Sequence, residues 1–163
     1  MKTNIEEFSN TLISKLKLSI PVNVERVAKS FCVQIKKTPN KDFSGLLFRK
    51  DTVAFMAISN SESPVRQRFT IAHELGHFFL HQDEKTFIEY RKTSGNEIKS
   101  RKEREANQFA ASLLMPQIFL ERDIKSLPGE FILENEVSYL AKKYNVSEES
   151  MTFRLINLNL LRK

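Results

Sequence analysis

The first thirty residues carry apolar side chains at helical spacing. Such a residue recurs every three or four positions, at Ile5, Phe8, Leu12, Ile13 and Leu16. This pattern predicts a helix over residues 5–18, and Pro21 closes the segment. A second, shorter stripe predicts a helix over residues 22–30.

The pattern then becomes typical of strands. The segment "FCVQIKK" at residues 31–37 has β-forming character, and "SGLLFRKDTVAFMAISN" at residues 44–60 contains two apolar runs. The polar residues 49–51 separate these runs, as in an antiparallel hairpin. We therefore expect a small antiparallel sheet in the first third of the chain.

A longer helix is predicted from Ser63 to His81. Ser63 suits the capping position and Pro64 the first helical position. Gly76 is the single helix-breaking residue inside this segment. Because a glycine in a helix costs about 1 kcal/mol relative to alanine, we expect another part of the chain to approach the backbone closely there.

The remaining segments predict one loop and three more helices. Residues 82–100 are polar and contain "KTSGNE", which is typical of a loop. Helical spacing returns over residues 102–115 and stops at a proline. Residues 136–144 and 148–158 predict a final helix pair, with Ser147 as the cap of the second.

Composition adds a broad class and a compartment. The chain has 163 residues, 40% hydrophobic and 28% charged, which suits one soluble domain over residues 1–163. The predicted elements divide it into a core at about 20–120 and a helical cap at 135–163. Acidic residues in "MKTNIEEFSN" argue against a secretory signal, and no apolar run is long enough to span a membrane. We therefore expect a cytoplasmic protein without membrane association.

Charge and cysteine content add little chemistry. The formal net charge of +6 comes from basic residues spread along the chain, which favours a solvated basic surface over a nucleic-acid footprint. Cys32 is the single cysteine and cannot form an internal disulfide. Its neighbours Phe31 and Val33 predict a buried, unreactive thiol.

The segment "TIAHELGHFFLH" carries the strongest chemical signal. His73 and His77 are four residues apart, so both lie on one face of the predicted helix and can bind one Zn²⁺. Glu74 is offset by about 100° and can act as general base on a zinc-activated water. Two buried structural histidines are the alternative, but this ordered set of residues favours zinc.

His81 extends the same spacing by another turn. Eight helical residues rise about 12 Å, so His73 and His81 cannot bind the same ion unless the helix breaks between them. We therefore expect His81 to be structural or to support a ligand.

A catalytic zinc needs a third protein ligand. With three histidines and one cysteine in the chain, a carboxylate is the expected donor. On a helical projection Glu103 and Asn107 lie at the edge of the apolar arc, whereas Glu105 lies on the opposite, solvated arc. We therefore predict Glu103 as the ligand and Asn107 as a hydrogen-bond partner of a ligand's outer edge.

Together "RQRFTIAHELGHFFLH" and "EREANQFAASLLMP" resemble the ImmA/IrrE family of zinc metallopeptidases, over about residues 44–116. The resemblance implies a compact, gluzincin-like α+β fold with a small antiparallel sheet packed on the HExxH helix, plus C-terminal helices. It also implies His73, His77 and Glu103 as zinc ligands and Glu74 as the catalytic residue. The glutamate of the family pattern stands four residues before its asparagine, which agrees with Glu103.

The resemblance further implies a partner. Characterised relatives cleave helix-turn-helix transcriptional repressors and thereby switch on mobile-element or DNA-damage genes. A zinc endopeptidase that cleaves such a repressor is the leading hypothesis. The alternatives are a DNA-binding or repressor-binding regulator, or a toxin–antitoxin component, with a non-catalytic zinc site. The oligomeric state and the metal used in the cell stay open.

Two features of substrate binding are left as alternatives. Tyr90, Arg66 and Arg68 are the candidates for stabilising the oxyanion of the tetrahedral intermediate. An extended substrate could pair with residues 53–58, if that strand lies at a sheet edge.

The segment "LAKKYNVSEESMTFRL" resembles part of a helix-turn-helix, with Arg154 late in its second helix. Direct DNA binding is therefore possible. A helical cap is favoured instead, because Glu148 and Glu149 would face DNA phosphates. The cap would bury Leu140, Val146, Met151 and Leu155.

Overall fold

The computed structural model describes residues 4–50, 53–83, 86–90 and 101–161. In chain order, its elements are α1 (Ile5–Lys15), α2 (Val24–Ser30), β1 (Val33–Thr38), β2 (Phe43–Lys50), β3 (Val53–Ser59), α3 (Pro64–Leu80), β4 (Thr86–Tyr90), α4 (Arg101–Leu114), α5 (Gln117–Lys125), α6 (Glu134–Tyr144) and α7 (Glu148–Asn157). The predicted α+β class is confirmed. None of the described helices is long and apolar enough to span a membrane.

The four described strands form one mixed sheet in the order β1-β3-β2-β4. The predicted hairpin is present, because β2 and β3 pair antiparallel. β1 pairs parallel to β3. The sheet is therefore mixed, and the prediction of an antiparallel sheet was wrong in this respect. β3 lies inside the sheet, so the hypothesis that residues 53–58 form an edge was wrong. The outer described strands are β1 and β4.

The prediction of a loop over residues 82–100 was wrong in part, because this segment contains β4. Its five residues pair antiparallel with β2, with Phe87 opposite Leu47 and Ile88 opposite Leu46. A strand this short gives little periodicity of its own, and its pairing depends on a partner about forty positions earlier in the chain. Residues 91–100 of the predicted loop lie outside the described residues.

Residues Asn23–Ala110 form one compact unit of the chain. Its core joins the inner face of the sheet to α3 through the buried side chains of Leu47, Met56, Ile58, Ile71, Ala72 and Leu75. Burying a side chain of this size contributes about 1.5–3 kcal/mol, so this packing fixes the orientation of α3 on the sheet.

Both ends of α3 are stabilised. The Ser63 hydroxyl accepts a hydrogen bond from the Arg66 amide at 3.3 Å, as the sequence predicts for a cap. At the other end, the Arg49 guanidinium donates to the carbonyl oxygens of His77 and Phe78, each at 2.8 Å. A cation at a helix C-terminus satisfies the last carbonyls and favours the helix dipole. Arg49 thereby joins β2 to the helix that carries the histidines.

Gly76 is the point at which α4 approaches α3, as its position inside a helix predicted. A Cβ at Gly76 would lie 2.9 Å from the Ala106 Cα and 3.0 Å from the Ala106 carbonyl oxygen. Both atoms belong to the backbone and cannot rotate away. The close packing of these two helices therefore requires glycine at this position.

We expect Gly76→Ala to destabilise the protein by about 1–3 kcal/mol, the usual cost of overpacking. Helix propensity alone gives the opposite sign, because alanine favours a helix by about 1 kcal/mol over glycine. Urea denaturation measures the difference. A higher urea midpoint in the variant would show that α3 and α4 do not pack this closely.

Residues Met1–Val22 and Ala111–Lys163 form a second compact unit. Its core includes the buried residues Leu12, Leu120, Leu140, Met151 and Leu155. α5 was not predicted: it is nine residues long and begins after Pro116 without a side-chain cap. Ser147 caps α7 as predicted, since its hydroxyl accepts from the Ser150 amide at 3.1 Å.

Arg154 on α7 is buried, with 5% of its surface exposed. Its guanidinium donates to Glu6 at 2.7 Å and to the carbonyl oxygen of Met115 at 3.0 Å. From this position it is not available to a nucleic acid, which favours the helical cap. Direct DNA binding by these helices stays the less favoured hypothesis.

We expect Arg154→Leu to destabilise the protein by about 2–3 kcal/mol near pH 7, because it leaves Glu6 half-buried without its cation. Burial acts to raise the pKa of the Glu6 carboxyl, but hydrogen bonds from Arg154 and Ser112 outweigh it and hold this pKa below its usual value. A depressed pKa stabilises the fold above the unfolded pKa, near 4.5, and this contribution is lost as the pH falls. Urea unfolding of both proteins at pH 7 and pH 3 should therefore show a smaller difference in acid. An equal difference at both pH values would contradict this.

The prediction of a buried thiol at Cys32 was wrong, because its side chain is exposed. It lies in the turn between α2 and β1 with a φ of 57°, and this left-handed backbone turns the chain out of the helix. Its apolar neighbours Phe31 and Val33 do not decide its own burial, since a turn places successive side chains in different directions.

Candidate metal centre

α3 and α4 bring two imidazoles and one carboxylate together. The Nε2 atoms of His73 and His77 are 3.0 Å apart. The Glu103 carboxylate oxygens lie 3.3 Å from Nε2 of His73 and 3.2 Å from Nε2 of His77. Both histidines are buried, whereas 37% of the Glu103 side chain is exposed. Within the described ranges this is the one cluster of three such groups that could hold a metal ion.

The donor atoms fit a zinc ion in chemistry and in spacing. Two neutral imidazoles and one carboxylate form a common protein ligand set for catalytic zinc. A tetrahedral ion with bonds of about 2.0–2.1 Å separates its ligand atoms by roughly 3.3–3.4 Å. The two Nε2 atoms are 3.0 Å apart, and each faces a different oxygen of the Glu103 carboxylate, at 3.2 Å for His77 and 3.3 Å for His73, so the separations are close to this value. All three donors also converge from fixed helices, so little movement would be needed.

The protonation states also suit metal binding. Burial lowers the pKa of His77, although its contact with Glu103 opposes this, so this imidazole is neutral at pH 7. The contacts with His73 and then with His77 hold the pKa of Glu103 well below its usual range, against the opposing effect of burial. A neutral imidazole and an ionised carboxylate are the forms that bind a cation.

Asn107 contacts the far side of His73. Its Oδ1 atom lies 3.0 Å from Nδ1 of His73, one helical turn after Glu103. An amide oxygen can only accept, so Nδ1 of His73 is the donor in this contact, and Nε2 is the ring nitrogen that faces the cluster. The structure thus brings Asn107 to the position where the sequence predicted a partner for a ligand.

His81 and Glu105 form a second set of contacts behind His77. Nδ1 of His81 lies 2.9 Å from Nδ1 of His77, and Nε2 of His81 lies 3.1 Å from Glu105. Arg101 donates to the other Glu105 oxygen at 2.8 Å. The interpretation of Glu105 as a merely solvated carboxylate was therefore wrong, because its side chain is 25% exposed and contacts a buried histidine. His81 lies outside the three-residue cluster, as the helical rise predicted.

Glu74 is fully buried beside a glycine of the sheet. A Cβ at Gly45 would lie 2.6 Å from a Glu74 carboxylate oxygen and 2.5 Å from Cγ2 of Thr70. Gly45 therefore provides the space that the Glu74 carboxylate occupies. Sequence reasoning missed Gly45, although a glycine inside a strand is a known sign of close approach.

Phe87 is the second residue that sequence reasoning missed. Its ring stacks on the His77 imidazole, with centroids 4.0 Å apart and an interplanar angle of 19°. It projects from β4, within the segment predicted as a loop. This contact covers one face of the His77 ring and brings β4 next to the cluster.

The candidates for oxyanion stabilisation stay predictions. The Arg66 guanidinium lies 3.8 Å from Glu62 and 5.6 Å from the Phe69 ring centroid. Burial lowers the pKa of Arg68, although the charge of nearby Glu25 opposes it. The side chain of Tyr90 lies outside the described residues.

Comparison with known proteins identifies the family. The model of the peptidase M78 family, the IrrE N-terminal-like domain, matches residues 28–156. Metallopeptidase ImmA of Bacillus subtilis (strain 168) is 29% identical over 107 residues, which are 66% of this chain and 62% of that protein. A solved "Mycobacterium tuberculosis transcriptional regulator" superposes with a TM-score of 0.63 at 14% identity, over 93% of this chain and 46% of the other. At that identity the likeness shows the fold alone.

The family match includes both helices that form the cluster. It confirms the resemblance drawn from the two sequence motifs. A metallopeptidase family implies a bound metal ion, and the cluster of two imidazoles and one carboxylate is suited to hold it. The chain therefore belongs to the peptidase M78 family of IrrE-like metallopeptidase domains.

Proposed function

We propose that this protein is a zinc-dependent endopeptidase. The observation that carries the proposal is the convergence of His73, His77 and Glu103, on the helix pair that also carries the buried Glu74. His73, His77 and Glu103 would hold the ion. When bound, zinc supplies a Lewis acid that polarises the scissile carbonyl and acidifies a water molecule.

Glu74 is the proposed general base. Its carboxylate accepts a proton from the attacking water while the water oxygen bonds to the carbonyl carbon. As the carbon–nitrogen bond breaks, Glu74 passes this proton to the departing amine. Gly45 lies against the Glu74 carboxylate and would limit its movement during both transfers.

β4 is the proposed guide for the substrate backbone. It is an outer strand of the described sheet and pairs with β2 on one side. An extended peptide can pair with an outer strand through main-chain hydrogen bonds. Because Phe87 of β4 stacks on His77, such a peptide would run beside the cluster. β4 thus takes the role that the sequence analysis gave to residues 53–58.

We further propose a helix-turn-helix repressor as the protein substrate, as the family resemblance implies. Its cleavage would release mobile-element or stress-response genes, and this role would place the enzyme in the cytoplasm. Incubation of the zinc-loaded protein with a helix-turn-helix repressor whose gene neighbours its own, followed by mass spectrometry, tests the proposal. We expect one defined pair of fragments that a chelator abolishes. Fragments that persist with the chelator would contradict a metal-dependent enzyme.

A further inference from the structure

We propose that His81 and Glu105 are positioning residues that hold His77 in the tautomer that presents Nε2 to the metal. The inference rests on the proposed function, because it treats His77 as a metal ligand. Its basis is the continuous set of contacts from Arg101 through Glu105 and His81 to His77.

The ring nitrogens that carry protons in this series of contacts can be assigned by starting from the Glu105 carboxylate. The Glu105 carboxylate can only accept hydrogen bonds, so Nε2 of His81 donates to it at 3.1 Å. With its ring proton on Nε2, His81 presents Nδ1 as an acceptor. Across the 2.9 Å contact, Nδ1 of His77 is then the donor. His77 thereby keeps a lone pair on Nε2, the atom that faces Glu103 and His73, and a cation held there would take the place of a hydrogen bond to Glu103.

The opposite arrangement would prevent binding. A proton on Nε2 of His77 would occupy the atom that faces the cluster, and the ring would have to lose it before coordinating a cation. His81 disfavours this form by offering an acceptor on the other side of the ring. Arg101 fixes Glu105 for this purpose, since it donates to the second carboxylate oxygen at 2.8 Å.

Burial makes these contacts effective. His77 and His81 are 1% and 3% exposed, so water competes little for their hydrogen bonds. The two motif histidines also have different partners, because an amide oxygen of Asn107 contacts His73. Loss of the His81 acceptor should therefore affect His77 and leave the orientation of His73 unchanged.

Two substitutions separate positioning from packing. His81→Phe keeps a ring next to Phe87 but removes both nitrogens. His81→Asn loses the ring but retains an acceptor near the position of Nδ1. Glu105→Ala tests the outer contact without changing a buried residue. Glu25→Ala is its control, because Glu25 is an exposed carboxylate that pairs with Lys37 and lies in the same compact unit as Glu105.

Zinc affinity, measured by competition with a chromophoric chelator, is the first readout. We expect affinity to fall about 10- to 100-fold in His81→Phe and about 10-fold in Glu105→Ala, the usual range for partners of a metal ligand. His81→Asn should recover most of the loss, and Glu25→Ala should match the wild type. A purely structural role for His81 predicts the reverse order, with phenylalanine tolerated better than asparagine.

Nitrogen-15 NMR of the zinc-loaded protein is the second readout. We expect a slowly exchanging proton on Nδ1 of His77, hydrogen-bonded to Nδ1 of His81, and its loss in His81→Phe. Wild-type affinity together with an unchanged Nδ1 proton signal in His81→Phe would overturn the inference while leaving the proposed function intact. Failure of the wild-type protein to bind zinc would overturn both.

Discussion

The Glu74→Gln variant should lose about 10²- to 10⁴-fold in kcat/KM for peptide hydrolysis while retaining its metal, since this is the usual contribution of a general base. Glutamine has the shape of glutamate, so the space beside Gly45 accommodates it, but the amide cannot accept the proton of the attacking water. Hydrolysis of the repressor, followed by fragment analysis over time, measures the loss.

The same variant distinguishes an enzyme from a regulator that only binds its partner. A regulator with an inactive zinc site would keep its biological effect after this substitution, whereas a peptidase would lose it. Metal content and the urea midpoint serve as controls that the fold and the cluster are intact. Hydrolysis at the wild-type rate would reject Glu74 as the base.

The second large effect concerns the third ligand. We expect Glu103→Ala to weaken zinc binding by about 4 kcal/mol, roughly a thousandfold, if the ligands share the total of about 10–16 kcal/mol typical of protein zinc sites. The protein should then lose its metal during dialysis. Elemental analysis after dialysis measures the bound zinc per chain.

Glu105→Ala is the matched control, because Glu105 lies on the same helix two residues away and contacts His81 instead of the cluster. Its smaller expected loss should leave zinc bound after the same dialysis. If Glu103→Ala retained zinc and Glu105→Ala lost it, the ligand would be Glu105 and the assignment to Glu103 would be wrong.

Apart from α5, the described helices and the cluster could be predicted because their signals are local. Ser63 and Pro64 mark the start of α3 by capping chemistry, and the spacing of the two histidines fixes a common face. A helical projection was sufficient to choose Glu103, since the apolar arc of α4 shows which side faces other residues of the protein. Gly76 indicated a close neighbour for the same reason, although the sequence did not identify it as α4.

The residues that escaped prediction depend on distant partners. Phe87 reaches His77 because β4 pairs with β2, and five residues give no reliable pattern of that pairing. Arg49 lies on β2 and stabilises the end of α3. This role could not be predicted, because it depends on how the sheet packs against α3. The projection of α4 alone placed Glu105 in solvent, because it did not include the end of α3, where His81 meets it.

Anomalous diffraction at the zinc edge, from crystals of the metal-loaded protein, tests the central claim most directly. We predict a single peak contacted by Nε2 of His73, Nε2 of His77 and the carboxylate of Glu103. A zinc ion held by other side chains, or a Glu103 carboxylate turned away from both imidazoles with no other carboxylate in its place, would contradict the account.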